Sequence, residues 1–337
     1  MNILLTSVGR RTYLIDYFKD AVKGNGYVFA SNSSYTYSLS HADKWVLTPT
    51  IYDDLYIDFL INYCIENEIE AIVSLFDIDL FVLAKNKKRF NNIGVNLIVS
   101  DEDVIKICND KWLTYQFLKE HNIKTPRTYI SIDKAKQDIY SGVLSFPLII
   151  KPRWGMGSIG IYKADNIDEL EIFLKKLKNE IFGTYLKFES TTDSENCVLI
   201  QEKINGQEFG IEILNDLAGK YVTTIAKKKI AMRAGETDIA EIVEPKPFIN
   251  YARVLSNSLH HIANLDVDCF ISDNGEIYVL ELNSRFGGQY PFSHLAGVDF
   301  PNQIIKWLKG ESSDPSLYTP EIGKISCKDL RPVIINK

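Results

Sequence analysis

Histidine and cysteine are scarce: five of each in 337 residues. The one adjacent histidine pair, His260-His261, would point about 100° apart on a helical turn, which argues against a shared ion. The cysteines (Cys64, Cys108, Cys197, Cys269, Cys327) contain no Cys-x-x-Cys pair. An odd, scattered set without metal spacing fits reduced thiols in the cytoplasm. No apolar run approaches the length of a membrane span. The first residues lack the basic region and long apolar stretch of a signal peptide. Positive charge is not in excess either, with 38 Lys+Arg against 44 Asp+Glu and a net charge of −6. That balance argues against nucleic acid or an anionic membrane as the main partner. No Ser/His/Asp or Cys/His arrangement is evident, so nothing points to a protein nucleophile. No internal repeat or low-complexity segment stands out.

What is present is an ordinary hydrophobic share of 45%, enough for a substantial core. Apolar strands are expected at residues 2–8, 27–31, 44–49 and 70–76, with helices at about 13–22, 52–67 and 80–90. Strands alternating with helices predict a parallel sheet covered on both faces, so residues 1–100 read as a small doubly wound α/β domain. Asp101 and Asp110 are placed as helix N-caps. From about residue 148 strands come in runs, with helices at about 167–180 and 248–263. This second part reads as α+β.

The last hairpin carries the sequence "SDNGEIYVLELNSRFGG". With Asn274-Gly275 as a two-residue type I′ turn, Asp268 faces Glu281 and Asn283 shares that face. Cys269, Ile271, Tyr278, Leu280 and Leu282 are then expected to fill the other. Opposed carboxylates about 5 Å apart are destabilising without a counter-charge. A divalent cation held by Asp268, Glu281 and Asn283 would remove that cost, and such hard oxygen donors suit Mg²⁺, with Mn²⁺ as an alternative. A hairpin tip in water is the competing reading, and a single-residue bulge would put Asp268 on the wrong face.

"LIIKPRWGMGSIGIY" ends an apolar strand with Lys151 and surrounds Ser158 with Gly155, Gly157 and Gly160. Backbone N–H groups of such a loop approach phosphate closely. It is neither a Walker loop nor a dinucleotide fingerprint, and a plain glycine-rich turn is the alternative. Lys111 stands in a first helical turn, where its charge opposes the macrodipole. "QEKINGQEF" places Glu202 at a strand end and Glu208 beyond a short link. Alone, it would be a charged turn.

In this order and spacing the segments resemble the ATP-grasp superfamily, in particular the carbamoyl-phosphate-synthase-like single-chain carboxylate–amine ligases. The likeness covers about residues 101–308. It implies a pre-ATP-grasp Rossmann-like domain at 1–100, an ATP-grasp domain at 101–308 with a mobile lid at about 128–200, and a C-terminal extension at 309–337. It further implies that Lys111, Lys151, Gly155, Gly157 and Ser158 meet ATP phosphates. Glu202, Lys203 and Ile204 would hold adenine, and Glu208 ribose. Asp268, Glu281 and Asn283 would hold Mg²⁺, with Arg285 at the γ-phosphate or acyl phosphate. Lys228, chosen from three consecutive lysines, is placed at phosphate, and Arg233 at the substrate carboxylate as a third catalytic residue. Arg10 and Arg11, at the end of the first strand, and Gly287 and Gly288 are expected near substrate; His294 is read as structural. The implied activity is an ADP-forming ligase joining a small carboxylate to an amine through an acyl phosphate, as a cytoplasmic enzyme and a homodimer. Two alternatives stay open: bicarbonate activation or substrate phosphorylation on the same fold, and a non-catalytic nucleotide-binding regulator or subunit.

Overall fold

A computed structural model describes residues 1–155, 157 and 159–335. The chain opens with strands β1 (Asn2–Thr6), β2 (Val28–Asn32), β3 (Lys44–Leu47), β4 (Ile69–Ser74) and β5 (Asn96–Leu97). They form a parallel sheet in the order β3-β2-β1-β4-β5. Alternation along β1 divides the core: Ile3 and Leu5 face one apolar cluster and Leu4 the other. The helix Thr12–Val22 covers the first face with Leu14, Ile15, Phe18 and Val22, and Tyr56–Glu66 covers the second with Tyr56, Ile57, Leu60 and Cys64. Winding reverses between β1 and β4, so the loops after these strands open at a switch point. Below that opening Asp79 is fully buried, accepting hydrogen bonds from Thr6, Ser7, Tyr56 and Ser74.

Next come β6 (Thr128–Tyr129), β7 (Leu148–Pro152), β8 (Tyr162–Ala164) and β9 (Val198–Glu202), an antiparallel sheet in the order β6-β9-β7-β8. The helix Ile167–Phe182 packs Leu170, Leu177 and Ile181 on it. A larger antiparallel sheet takes β10 (Gly206–Asn215), β11 (Tyr221–Arg233), β12 (Glu236–Val243), β13 (Asn264–Ser272), β14 (Ile277–Asn283) and β15 (Ile325–Cys327), in the order β14-β13-β10-β11-β12-β15. The helices Lys111–Glu120 and Ile249–Leu259 bury its outer face, and the inner face turns to the cleft. Asp110 caps the first helix, accepting from the Trp112 and Leu113 N–H groups; Asp101 caps its helix without a side-chain bond. The strand β15 belongs to the stretch read as an extension, and it adds to the β12 edge by pairing Ile239, Ala240 and Glu241 with Cys327, Ser326 and Ile325.

The last hairpin differs from the expected one in two ways that cancel. Its turn is a three-residue loop: Ser272 N–H donates to Glu276 O, and only Gly275 takes positive φ (+79°). This shifts the pairing by one near the turn, where Cys269 faces Val279 and Ile271 faces Ile277. A bulge then absorbs the extra residue, and beyond it Asp268 faces Glu281 and Asp266 faces Asn283. The core face is therefore filled by Cys269, Ile277, Val279 and Leu282, while Leu280, expected there, lines the cleft. Tyr278 is half-buried outside that core. The type I′ geometry occurs instead in the β11–β12 hairpin, where Ala234 (φ +47°) and Gly235 (φ +79°) form the two-residue turn.

One buried group makes the fold sensitive to acid. His261 is 0% exposed; its Nε2–H donates to Ile213 O (3.1 Å) and its Nδ1 accepts from Asn215 Nδ2 (3.3 Å). Burial pulls the imidazole from 6.5 to about 4. The unfolded chain therefore takes up the proton first as pH falls. Stability held above pH 6.5 is lost towards pH 4, by on the order of 3 kcal/mol. Urea midpoints measured across that range should fall in the wild type and flatten in His261→Gln; equal slopes would refute the assignment.

Candidate active site

The three sheets enclose a cleft of ≈ 1430 Å³. Its floor is the inner face of the large sheet, where alternate residues of β10, β11, β13 and β14 carry the polar groups. Lys111 and Lys151 arrive from different elements and converge on one oxygen of Glu281, at 3.7 and 3.5 Å. Lys111 also donates to Gly155 O, which ties it to the glycine loop. Gly155 and Gly157 line the cleft; Ser158 lies outside the described residues. The Lys151 side chain is only 4% exposed. Burial depresses its ammonium to about 8; Glu281 opposes this and Lys111 adds to it. Burial pushes the Glu281 carboxyl up, but Lys111, Lys151 and Lys229 outweigh it and hold the group below its ordinary value.

Glu281 keeps 26% of its side chain exposed and Asp268 23%, so both remain open to a ligand. With the Asn283 amide they form a set of hard oxygen donors on the cleft face. That chemistry fits a divalent cation. Asp268 is the least free of the three, because Lys229 donates to it and to Glu208, at 2.6 Å each. Burial would lower Lys229, yet Asp268 and Glu208 outweigh it and keep the ammonium above its ordinary value.

Glu202, Lys203, Ile204 and Glu208 line the same cleft where β9 passes into β10. Glu202 accepts from Arg127 N–H (3.2 Å), so its carboxylate is already engaged. Arg285 is gripped by Asp77 (2.9 Å), which opens the helix Asp77–Lys85 after β4, and by Asp266 (3.5 Å). Burial disfavours its charge, but these carboxylates outweigh that and raise it above its ordinary value. Burial and the Asp268 charge together push Asp266 up.

Three expected placements need correction. Lys228 is not among the cleft-lining residues; period 2 along β11 turns Lys227 and Lys229 inward and Lys228 away. Lys227 is buried on Glu212 (2.7 Å) with Ser293, and Lys229 is the lysine in the cleft. Arg233 sits at the hairpin tip, 60% exposed and paired with Asp238 (3.1 Å), outside the lining. Gly287 makes its close approach to a protein group: a Cβ there would lie 2.1 Å from Asp266 Oδ2. Arg10, Arg11 and Gly288 do line the cleft. His294, stacked on Tyr17 at 3.5 Å, is part of the packing.

Asp77, Asp266, Lys229 and Gln289 were not singled out from the sequence. Asp266 could have been, since it lies two residues before Asp268 and shares its face; Lys229 needs the register of β11 against β10. Asp77 and Gln289 reach the site only through packing between distant segments.

A glycine-rich loop, two converging lysines and a carboxylate–amide strand end on one cleft define a nucleotide-binding class, and sequence comparison agrees. The ATP-grasp domain model matches residues 108–289, and the model described as PylC-like, N-terminal domain matches residues 3–98. The chain belongs to the ATP-grasp family. It is 30% identical to the alpha-aminoadipate–LysW ligase LysX of Saccharolobus solfataricus over 171 residues, 49% of this chain and 55% of that protein. It is 25% identical to the vancomycin/teicoplanin A-type resistance protein VanA of Enterococcus faecium over 244 residues, 65% of this chain and 66% of that protein. The chain thus spans between half and two thirds of these relatives. Of solved structures, L-amino acid ligase from Bacillus licheniformis superposes with a TM-score of 0.70 at 19% identity, over 95% of this chain and 78% of that one. The Hydrogenobacter thermophilus 2-oxoglutarate carboxylase biotin carboxylase domain, a dimer with MgADP and bicarbonate, gives 0.74 at 17%, over 96% and 73%. At such identities the likeness speaks for the fold. No helix among the described residues is long and apolar enough to cross a membrane.

Proposed function

We propose that the protein is an ADP-forming ligase that joins a small-molecule carboxylate to an amine through an acyl phosphate. The observation that carries this reading is the convergence of Lys111 and Lys151 on Glu281, beside Asn283 and Arg285. Two ammonium groups, one buried and one half-buried, at the end of a glycine loop suit a polyphosphate better than any neutral ligand. A carboxylate oxygen of the substrate bonds to the γ-phosphorus as the bond to ADP breaks. The amine then bonds to the acyl carbon, phosphate leaves, and the nitrogen gives up a proton.

Lys111 and Lys151 would hold the phosphates against their own repulsion, and Gly155 and Gly157 would let the loop approach them. Lys203 and Ile204 would offer backbone groups to adenine, and Glu208 would reach ribose. Glu281 and Asn283, with Asp268 shared with Lys229, would hold Mg²⁺; Mn²⁺ offers similar hard-oxygen chemistry. When bound, such a cation neutralises charge on the transferring phosphoryl group. Arg285, fixed by Asp77 and Asp266, would steady the acyl phosphate. Cytoplasmic location and a homodimer belong to the same proposal, the first supported by five free thiols.

The test is phosphorus NMR on protein incubated with Mg-ATP and pooled carboxylates and amines. ADP and phosphate dependent on a particular pool are expected. AMP with pyrophosphate would overturn the phosphoryl-transfer reading, and ATP unbound by calorimetry would overturn the site itself.

A further inference from the structure

The wall of the cleft away from the glycine loop carries groups that the reaction above does not use. Arg10 and Arg11 follow β1, and Glu236 opens β12. Lys328 follows β15 and donates to Glu236 Oε2 (2.9 Å). The two meet over Gly288, where a Cβ would lie 3.6 Å from Lys328 Nζ and 3.7 Å from Glu236 Oε2. A side chain at that position would crowd the space in front of Glu236. Among the described residues Arg11 has no ion-pair partner within 4 Å, although it lines the same cleft as Glu236 and Arg285. Burial disfavours its charge, and the Arg285 charge adds to that.

An unpaired, partly buried guanidinium lacks an anion. In the cleft that Arg285 also lines, the anion is best supplied by the carboxylate to be activated. Glu236 then asks for a cation on the same small molecule. Lys328 engages one of its oxygens, and 59% of the side chain is open. Bicarbonate or a plain monocarboxylate would satisfy Arg11 and leave Glu236 without a ligand group.

We propose that the carboxylic acid activated here is an amino acid read as a zwitterion, its carboxylate at Arg11 and its ammonium at Glu236. Lys328 is a positioning residue: it holds Glu236 from the C-terminal strand and does not touch substrate. The inference rests on the ligase reading, and its test separates the two.

ADP release is followed with Mg-ATP and pooled L-amino acid amides, which bring the acceptor amine and no carboxylate, in both assays; the first adds the pooled standard L-amino acids, the second the pooled N-acetyl derivatives, which keep the carboxylate and lose the ammonium. Wild type should favour the free amino acids by at least about tenfold, the scale of one hydrogen bond to a charged group. Glu236→Gln, on an exposed side chain, should fold normally and lose that preference through KM. Lys328→Ala should lose part of it, and Lys328→Arg should restore it. Equal rates on both pools, or a preference untouched in Glu236→Gln, overturn the zwitterion reading and leave the ligase standing. No ADP from either pool also overturns it; if calorimetry then shows Mg-ATP bound, the ligase is to be sought with other carboxylates.

Discussion

Glu281→Gln should lose turnover by at least about a thousandfold while the protein stays folded. The side chain faces the cleft and fills no core, so an isosteric amide costs little packing. The charge is what disappears. Glu281 offsets both Lys111 and Lys151, and it is one of three oxygen donors proposed for the cation. Nucleotide should still bind, because its phosphates replace the missing counter-charge for the two lysines. Steady-state kinetics with excess Mg²⁺, beside circular dichroism, reads both effects; a kcat near wild type would remove Glu281 from the metal site. Asp268→Asn should cost less, since Lys229 already shares that carboxylate.

The second large effect runs the opposite way in stability and activity. In EDTA and without nucleotide, Lys151→Met should unfold at higher denaturant than wild type, by on the order of 2–3 kcal/mol near pH 7. Burial holds the Lys151 ammonium at about 8 against 10.5 in the unfolded chain. The folded protein therefore carries a desolvated charge that methionine does not. As pH rises from about 8 towards 10.5 the wild-type lysine discharges more readily when folded, its stability climbs, and the gap closes. The same substitution should abolish ATP binding by calorimetry. A less stable variant would mean that the ion pair with Glu281 outweighs burial.

How far the site was legible depends on how local each relation is. The sheet of the first domain follows from apolar runs and helix spacing, and the strand–loop–helix order there needs no distant contact. The pairing of Asp268 with Glu281 was read from a two-residue turn that does not exist. It survives because a bulge of one residue repays a loop longer by one. Neither is visible in "SDNGE", since Asn274-Gly275 suits both loop lengths. Among the three lysines of β11, periodicity separates Lys228 from its neighbours but does not say which side is the cleft. That needs the register Phe209↔Lys228, which is set across strands. Arg233 looked like a substrate residue because glycine interrupts its strand; the glycine serves a tight turn, and the arginine points to solvent. Asp77 reaches Arg285 across 208 positions of sequence, a contact no local pattern carries.

The bulge at Leu280 also divides the last hairpin mechanically. On its far side the turn sets which residues meet; on the near side Asp266, Asp268, Glu281 and Asn283 keep a register of their own. Loop length and site geometry are thereby uncoupled, as a slip joint uncouples two lengths of pipe. Asp273, Asn274 and Gly275 are exposed, so a short tag inserted there should leave Asp266, Asp268, Glu281 and Asn283 in their register.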